Sequence, residues 1–401
     1  MSPLRIAIIG GPQYDQIRPV IDAFTAQYSM PVDVGFRGDH VSLNSHLADA
    51  ATRGSYDLVS THSKYVPSQQ HWLTPLDDIV SGTELDAFQS AALKLCRVNG
   101  QQLCLPRNID ARLLFVNREL IDDDWLPSSW EQVVEAATRS ASNSGRAGFA
   151  FPTRDSGLFG TFYEIVAAYG GALFDDRGEA QFTTPESAAA LELLVRAAGR
   201  AGLGRAGLGR AGVAPLRMVE ERWYFDEVSY AFRSGQVAMV GDWPGYYALL
   251  KSSAAMHNRV RVTRYPLGTD GRRHVYAGCH AWAIPVTARD PAASAGLLMH
   301  LLSAQAATVD AAAGLFPAQL DIALASNDAL DIERAEMLTA TVATDLLTFP
   351  PMPSFPAIED ASAACLRAAL LGECSVSQAL VAARVAAQAA GRVAAHSAHR
   401  R

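Results

Sequence analysis

Three features of the sequence predict an α/β fold in two domains. At 401 residues the chain is too long for one ordinary core. Its amino-terminal part alternates strand and helix, the pattern of a parallel sheet with right-handed crossovers. Further on, the short apolar strand Gln236 to Gly241 ends at Asp242 and carries Trp243 into a loop with Pro244, Gly245, Tyr246 and Tyr247, at the kind of strand end where α/β folds hold ligands.

Taken in order, Leu4 to Ile9 reads as a buried strand, and Asp15 to Tyr28 as an amphipathic helix with Ile17, Ile21 and Phe24 on one face. Val32 to Phe36 is a second strand, Val41 to Thr52 a helix, and Tyr56 to Ser60 a third strand. Two loops then project from the carboxyl edge of that sheet. One runs from Gly10 to Tyr14 and includes Gln13; the other holds Thr61, His62, Ser63, Lys64 and Tyr65. Gly10-Gly11 permits close backbone approach by a ligand, or simply makes a tight turn.

Cys96 and Cys104 flank a hairpin with Asn99-Gly100 at its turn. A bridge between them is sterically possible, as is one between Cys365 and Cys374, leaving Cys279 unpaired; free buried thiols are the competing reading. Leu105-Pro106 leads into a strand with a polar bend, where Arg107, Asp110 and Arg112 form either a salt-bridged structural corner or a polar binding site. Pro127, Ser129 and Glu131 mark a helix start, and Thr184-Pro185-Glu186 marks another.

Gly157 to Gly171 is rich in aromatics, with Phe159 and Thr161 near its beginning, and Ala172 to Thr183 reads as a hairpin. The tract Gly199 to Gly212 matches G-x-G-x-x-G twice, yet it follows a helix rather than a strand, so a flexible surface insertion is expected instead of a dinucleotide site. Val260 to Gly268 is extended, and His274 to Pro285 is a strand with Gly278, Cys279 and His280 in a bend. Taken alone, His280 is a structural histidine. Ala-rich helices follow, broken near Phe316-Pro317 and again at Pro350-Pro351, and a frayed His/Arg tail ends the chain.

Composition narrows the function. Apolar residues at 49% and charged residues at 19% are ordinary for a soluble globular protein, and a net charge of −7 argues against a nucleic-acid partner. No run of 18 apolar residues suggests a membrane span. No nucleophile elbow, zinc helix, phosphate loop or Cys/His zinc spacing occurs, and no cofactor is expected. What remains is a set of loops bearing aromatics and bidentate polar groups, which suits a polyhydroxylated small ligand: an indole takes the apolar face of a pyranose while carboxylate, guanidinium and amide groups take its hydroxyls. A tryptophan such as Trp243, taken on its own, more often plugs the space between a strand and a helix than serves as a ligand platform.

The chain resembles extracellular solute-binding proteins of carbohydrate ABC importers, the maltose-binding-like group. The resemblance rests on motifs in shared order. They include Asn99-Gly100, Leu105-Pro106, Leu114-Phe115-Val116-Asn117, Pro127-x-x-Trp130-Glu131, Gly170-Gly171 with Leu173-Phe174-Asp175, Phe232-x-x-Gly235-x-x-Ala238-Met239, and Trp282-Ala283-Ile284. It implies a two-lobed periplasmic-binding-protein-like fold, each lobe a mostly parallel sheet flanked by helices, joined by about three crossing segments and closing on ligand like a hinge. Residues 1–110 and 266–308 would form one lobe, and 111–265 and 309–401 the other. Asp110 matches the acid that accepts sugar hydroxyls, and Trp243 matches the stacking aromatic.

The expected ligand contacts in the first lobe are therefore Gln13, Tyr14, Thr61 to Lys64, Arg107 and Asp110, with Gly278 to His280. Phe159, Thr161, Asp242, Trp243, Tyr246 and Phe316 complete the set. His62, Lys64 and Arg107 make an anionic sugar conceivable. The partners implied are a small carbohydrate and a membrane permease, for a monomer without catalytic turnover that is periplasmic or extracellular and membrane-associated, its export signal removed; the sequence start alone also allows a cytoplasmic chain. A carbohydrate-active enzyme using cleft carboxylates is the alternative.

Overall fold

The computed structural model describes residues 2–398 except 12, 51, 52, 200–212, 254, 255, 257, 321 and 323–327. The glycine-rich tract and the His/Arg tail expected from sequence thus lie almost wholly outside the described residues. Two compact units form: Met1–Asp110, Ala277–Asn327 and Pro351–Pro353 make the first, and Ala111–Tyr276, Asp328–Pro350 and Ser354–Arg401 the second. The chain passes from the first unit to the second between Asp110 and Ala111, returns at Ala277 and leaves again after Asn327.

In the first unit five strands lie in the order Val32–Gly38, Leu4–Ile9, Leu58–His62, His280–Ala283, Leu105–Pro106. The first three pair in parallel, as the strand–helix alternation requires, with the helices Arg18–Tyr28 and His40–Ala50 as crossovers. His280–Ala283 pairs antiparallel on both sides, so the sheet is mixed. The chain reaches this strand on its return from the second unit at Ala277, not through a strand–helix–strand crossover within the first. Ile6, Leu58, Val59, Ala281 and Trp282 are buried at its centre.

The hairpin reads as predicted. Arg97–Val98 pairs with Gln101–Gln102, and Asn99 and Gly100 both take positive φ, 51° and 83°, the turn that matches strand twist.

The second unit holds a four-stranded sheet in the order Val260–Thr263, Leu113–Asn117, Val237–Asp242, Ala147–Ala150. Only the last pair is parallel. Its helices start where the sequence placed them: the Ser129 hydroxyl accepts from Gln132 N ahead of Trp130–Ser144, and Thr184 accepts from Ser187 N ahead of Pro185–Ala197. The Asp155–Ala168 helix is buried along nearly its whole length and packs against Phe355–Leu371. Among the described residues no single helix is long and apolar enough to cross a membrane.

Candidate functional site

In the second unit the Val237–Asp242 strand ends at Asp242, and Trp243 leaves it half-buried. Gly241 is required just before: a Cβ there would collide with the Tyr265 hydroxyl. Arg112, only 1% exposed in its side chain, sits behind the loop. Its guanidinium carbon lies 5.6 Å from the Trp243 ring centroid and 5.8 Å from those of Phe225 and Tyr265, the distances of cation–π contacts. Phe225 in turn packs against Trp243 at 5.3 Å between centroids.

Hydrogen bonds fix this guanidinium. Nη1 donates to Thr161 Oγ1 at 2.9 Å, Nε donates to Glu164 Oε1 at 3.2 Å, and Nη2 donates to Glu164 Oε2. Burial lifts the Glu164 carboxyl to about 7 even with Arg112 beside it, and burial likewise lifts Asp242 to about 7. The Asp242 carboxylate accepts from Trp243 N at 2.9 Å, which pins the backbone where the indole departs. Tyr246 donates to Asp226 at 2.6 Å.

In the first unit a second polar cluster gathers at the carboxyl edge of its sheet. Arg107 is buried and donates to Asp310 through Nε at 2.7 Å and Nη2 at 2.6 Å. Its Nη1 has no acceptor among the described residues. Tyr14 lies against both Arg107, at 5.6 Å, and the His280 ring, at 4.6 Å between centroids. Asp110 accepts from Asn108 Nδ2 at 2.6 Å, and Asn108 Oδ1 accepts from His280 N at 3.0 Å.

Three histidines meet here: the His40 and His62 rings are 4.8 Å apart, His62 and His280 5.0 Å, His40 and His280 5.6 Å. Burial drives all three well below the usual imidazole range, His280 to about 3, with the Lys64 cation adding to the effect on each. They are neutral at pH 7. With Thr61, Gln69 and Tyr65 they line a cavity of about 10 Å³, room for about one water. Among the described residues no group of three His, Cys, Asp or Glu is arranged to hold a metal ion.

The sequence-predicted residues therefore divide. Asp242, Trp243 and Tyr246 cluster in the second unit; Tyr14, Arg107, Asp110, His62 and His280 cluster in the first, with Gln13 half-buried beside Tyr14 and Lys64 buried 5.0 Å from the Tyr65 ring. Gly278 lets the His62 ring approach, since a Cβ would fall 2.6 Å from Nε2.

Others do structural work instead. Phe159 is fully buried among Phe182, Phe355 and Tyr163, an aromatic core rather than a ligand contact, because the segment is a buried helix and not a loop. Thr161 supports Arg112, and the Thr61 hydroxyl donates to Gln69 Oε1 at 2.7 Å. The Ser63 hydroxyl accepts from Cys279 N, and the Cys279 side chain faces the core. Phe316 is half-buried and uses its carbonyl to accept from Ile109 N. Sequence reasoning missed Glu164, Asp310, His40 and Tyr265. Each reaches its cluster from a distant segment, so no spacing signalled it.

The family model described as bacterial extracellular solute-binding protein matches residues 20–337. An arabinooligosaccharide-binding protein of Halalkalibacterium halodurans is 25% identical over 163 residues, 39% of this chain and 36% of that protein. A probable amino-acid ABC transporter periplasmic-binding protein of Sinorhizobium fredii is 25% identical over 191 residues, 45% of this chain and 41% of its own. The matched stretches thus span well under half the length of these relatives. Among solved structures, maltose-bound MalE3 of T. maritima superposes with a TM-score of 0.83 at 20% identity, over 96% of this chain and 99% of that one.

Proposed function

The chain belongs to the bacterial extracellular solute-binding protein family, and from that premise we propose that it captures a neutral sugar or polyol outside the cytoplasm and delivers it, unchanged, to the permease of an ABC importer. The observation that carries this reading is Trp243: half-buried at a strand end, backed by Phe225 and by the Arg112 guanidinium, it offers an indole face braced for stacking on a pyranose. Asp242 and Tyr246 flank it. In the first unit Arg107 Nη1, Asp110, Lys64 and His280 supply donors and acceptors for hydroxyl groups.

Charge favours a neutral ligand. The histidines of the first cluster are uncharged, Arg107 is paired with Asp310, and the two buried cations Lys64 and Arg107 are equalled in number by the two buried carboxylates Asp110 and Asp310. The orphan Arg107 N–H therefore suits a hydroxyl or ring oxygen better than a second full negative charge. The relative named for arabinooligosaccharides and the maltose-bound neighbour agree with a sugar; the relative named for amino acids supplies the comparison.

A thermal-shift screen over pentoses, hexoses, their oligomers, polyols, sugar phosphates and amino acids tests the proposal. A neutral sugar or polyol raises the melting temperature, by a stabilisation that grows with the logarithm of ligand excess over Kd. Stabilisation by sugar phosphates or amino acids alone overturns it, and so does a hydrolysed or transferred product after incubation with the sugar that binds.

A further inference from the structure

Three of the five cysteines of this chain converge in the core of the first unit. Cys96, Cys104 and Cys279 are each 0% exposed and belong to one apolar cluster with Leu103, Val98 and Trp72. Cys96 caps the helix Ser90–Leu95, and Cys279 precedes the strand His280–Ala283. Their sulfurs are in contact at 3.4 Å, across 183 residues of sequence.

The Cys104 side chain also lies beside that of Cys96, but the pairing that sequence suggests within the hairpin has the less favourable register. Arg97 faces Gln102, and Leu103 N donates to the Cys96 carbonyl, so Leu103 stands opposite Cys96 and Cys104 is offset by one residue. A bridge from Cys96 to Cys104 would also close only a short loop, whereas a bridge to Cys279 removes far more freedom from the unfolded chain.

We propose that Cys96 and Cys279 form a disulfide in the folded protein outside the cytoplasm, with Cys104 remaining a thiol. The oxidant is a small-molecule or protein disulfide. Thiolate Cys96 attacks one of its sulfurs, forming a mixed disulfide and expelling a thiolate; thiolate Cys279 then attacks the Cys96 sulfur and expels the second. Two protons and two electrons leave the cysteine pair, and the oxidant becomes two thiols. The reaction belongs to folding, before the core closes, because burial pushes the Cys96 and Cys104 thiols up and keeps them protonated afterwards.

The consequence reaches the candidate site. Cys279 N donates to Ser63 Oγ at 3.1 Å, Ser63 N donates to the Cys279 carbonyl at 2.9 Å, and the next residue is His280. The cross-link would tie the Thr61–Lys64 segment, at the end of the Leu58–His62 strand, and His280 to the end of the Ser90–Leu95 helix.

The test uses the full chain carrying Cys365→Ala and Cys374→Ala, refolded with glutathione disulfide, alkylated under denaturing conditions and digested without reduction. Mass spectrometry is expected to find a Cys96–Cys279 linked peptide and alkylated Cys104. A Cys96–Cys104 peptide, or three alkylated thiols, overturns the proposal. Reduction should lower the melting temperature of this protein and of its Cys104→Ala variant. A Cys104→Ala variant whose melting temperature is indifferent to reductant overturns it as well, and that readout does not depend on Cys279 variants folding.

Discussion

Arg112 and Glu164 form a buried bidentate ion pair across 52 residues, with Tyr276 N donating to the same Glu164 oxygen at 2.8 Å that receives Arg112 Nε. Both side chains are at most 1% exposed. Such a pair stabilises little against an apolar replacement, but breaking it strands a charge in a dry interior. Glu164→Ala is therefore expected to lower the unfolding free energy by about 3–5 kcal/mol, read from urea denaturation. Arg112→Met with Glu164→Leu should recover most of that loss; additive losses in the double variant would mean that the two residues act separately.

Trp243 is the stacking surface in the proposed reading, and its half-burial separates binding from folding. Trp243→Ala should weaken sugar affinity by about 2 kcal/mol or more, roughly 30-fold, in the range of aromatic hot spots. Calorimetric titration with whichever sugar stabilises the wild type measures it. Trp243→Phe keeps a ring face and should lose less. Wild-type affinity in the alanine variant would make the indole a packing residue only.

Local chemistry explains how much of this was legible. The Asn99-Gly100 turn, the Ser129 and Thr184 caps and the Trp243 strand end are short-range devices, and each is where the sequence placed it. The antiparallel pairing of His280–Ala283 was not legible, because register between segments far apart depends on which neighbour the sheet leaves open. The same distance hid Glu164 behind Arg112 and Asp310 behind Arg107. Phe159 was misread for the opposite reason: a dense run of aromatics looks like a binding loop and like a buried helix, and the run became a helix with no exposed face.

Gly278 tests how tightly the histidine cluster is built. Adding a methyl group there places carbon 2.5 Å from His62 Cε1, closer than real contacts allow, and His62 Nδ1 already accepts from Lys64 N at 3.1 Å. Gly278→Ala should cost about 1–3 kcal/mol of stability through overpacking. Because the displaced ring carries the Thr61–Lys64 segment with it, sugar affinity should fall too. Gly271→Ala, at a turn with nothing near its Cβ but with φ of 75°, is the control: strained locally, without effect on affinity.

His280 sets an acid limit on the first unit. Its folded value is about 3, whereas an unfolded imidazole titrates near about 6.5. Above about 6.5 neither state is protonated and the stabilisation from neutral His280 is complete; as pH falls toward about 3 only the unfolded chain takes up the proton, so stability is lost at about 1.4 kcal/mol per pH unit. Glu164 and Asp242 act oppositely. Their folded values near 7 mean that the folded protein holds protons the unfolded chain releases above about 4, so acidification between those limits favours folding through them. The two tendencies oppose each other in the wild type, where burial of His40 and His62 adds to that of His280, and a variant separates the His280 part. Between about pH 6 and 4, His280→Gln should lose less stability on acidification than the wild type, the curves diverging by about one proton's slope in chemical denaturation. Parallel curves would mean that the His280 ring is as readily protonated in the folded chain as in the unfolded one.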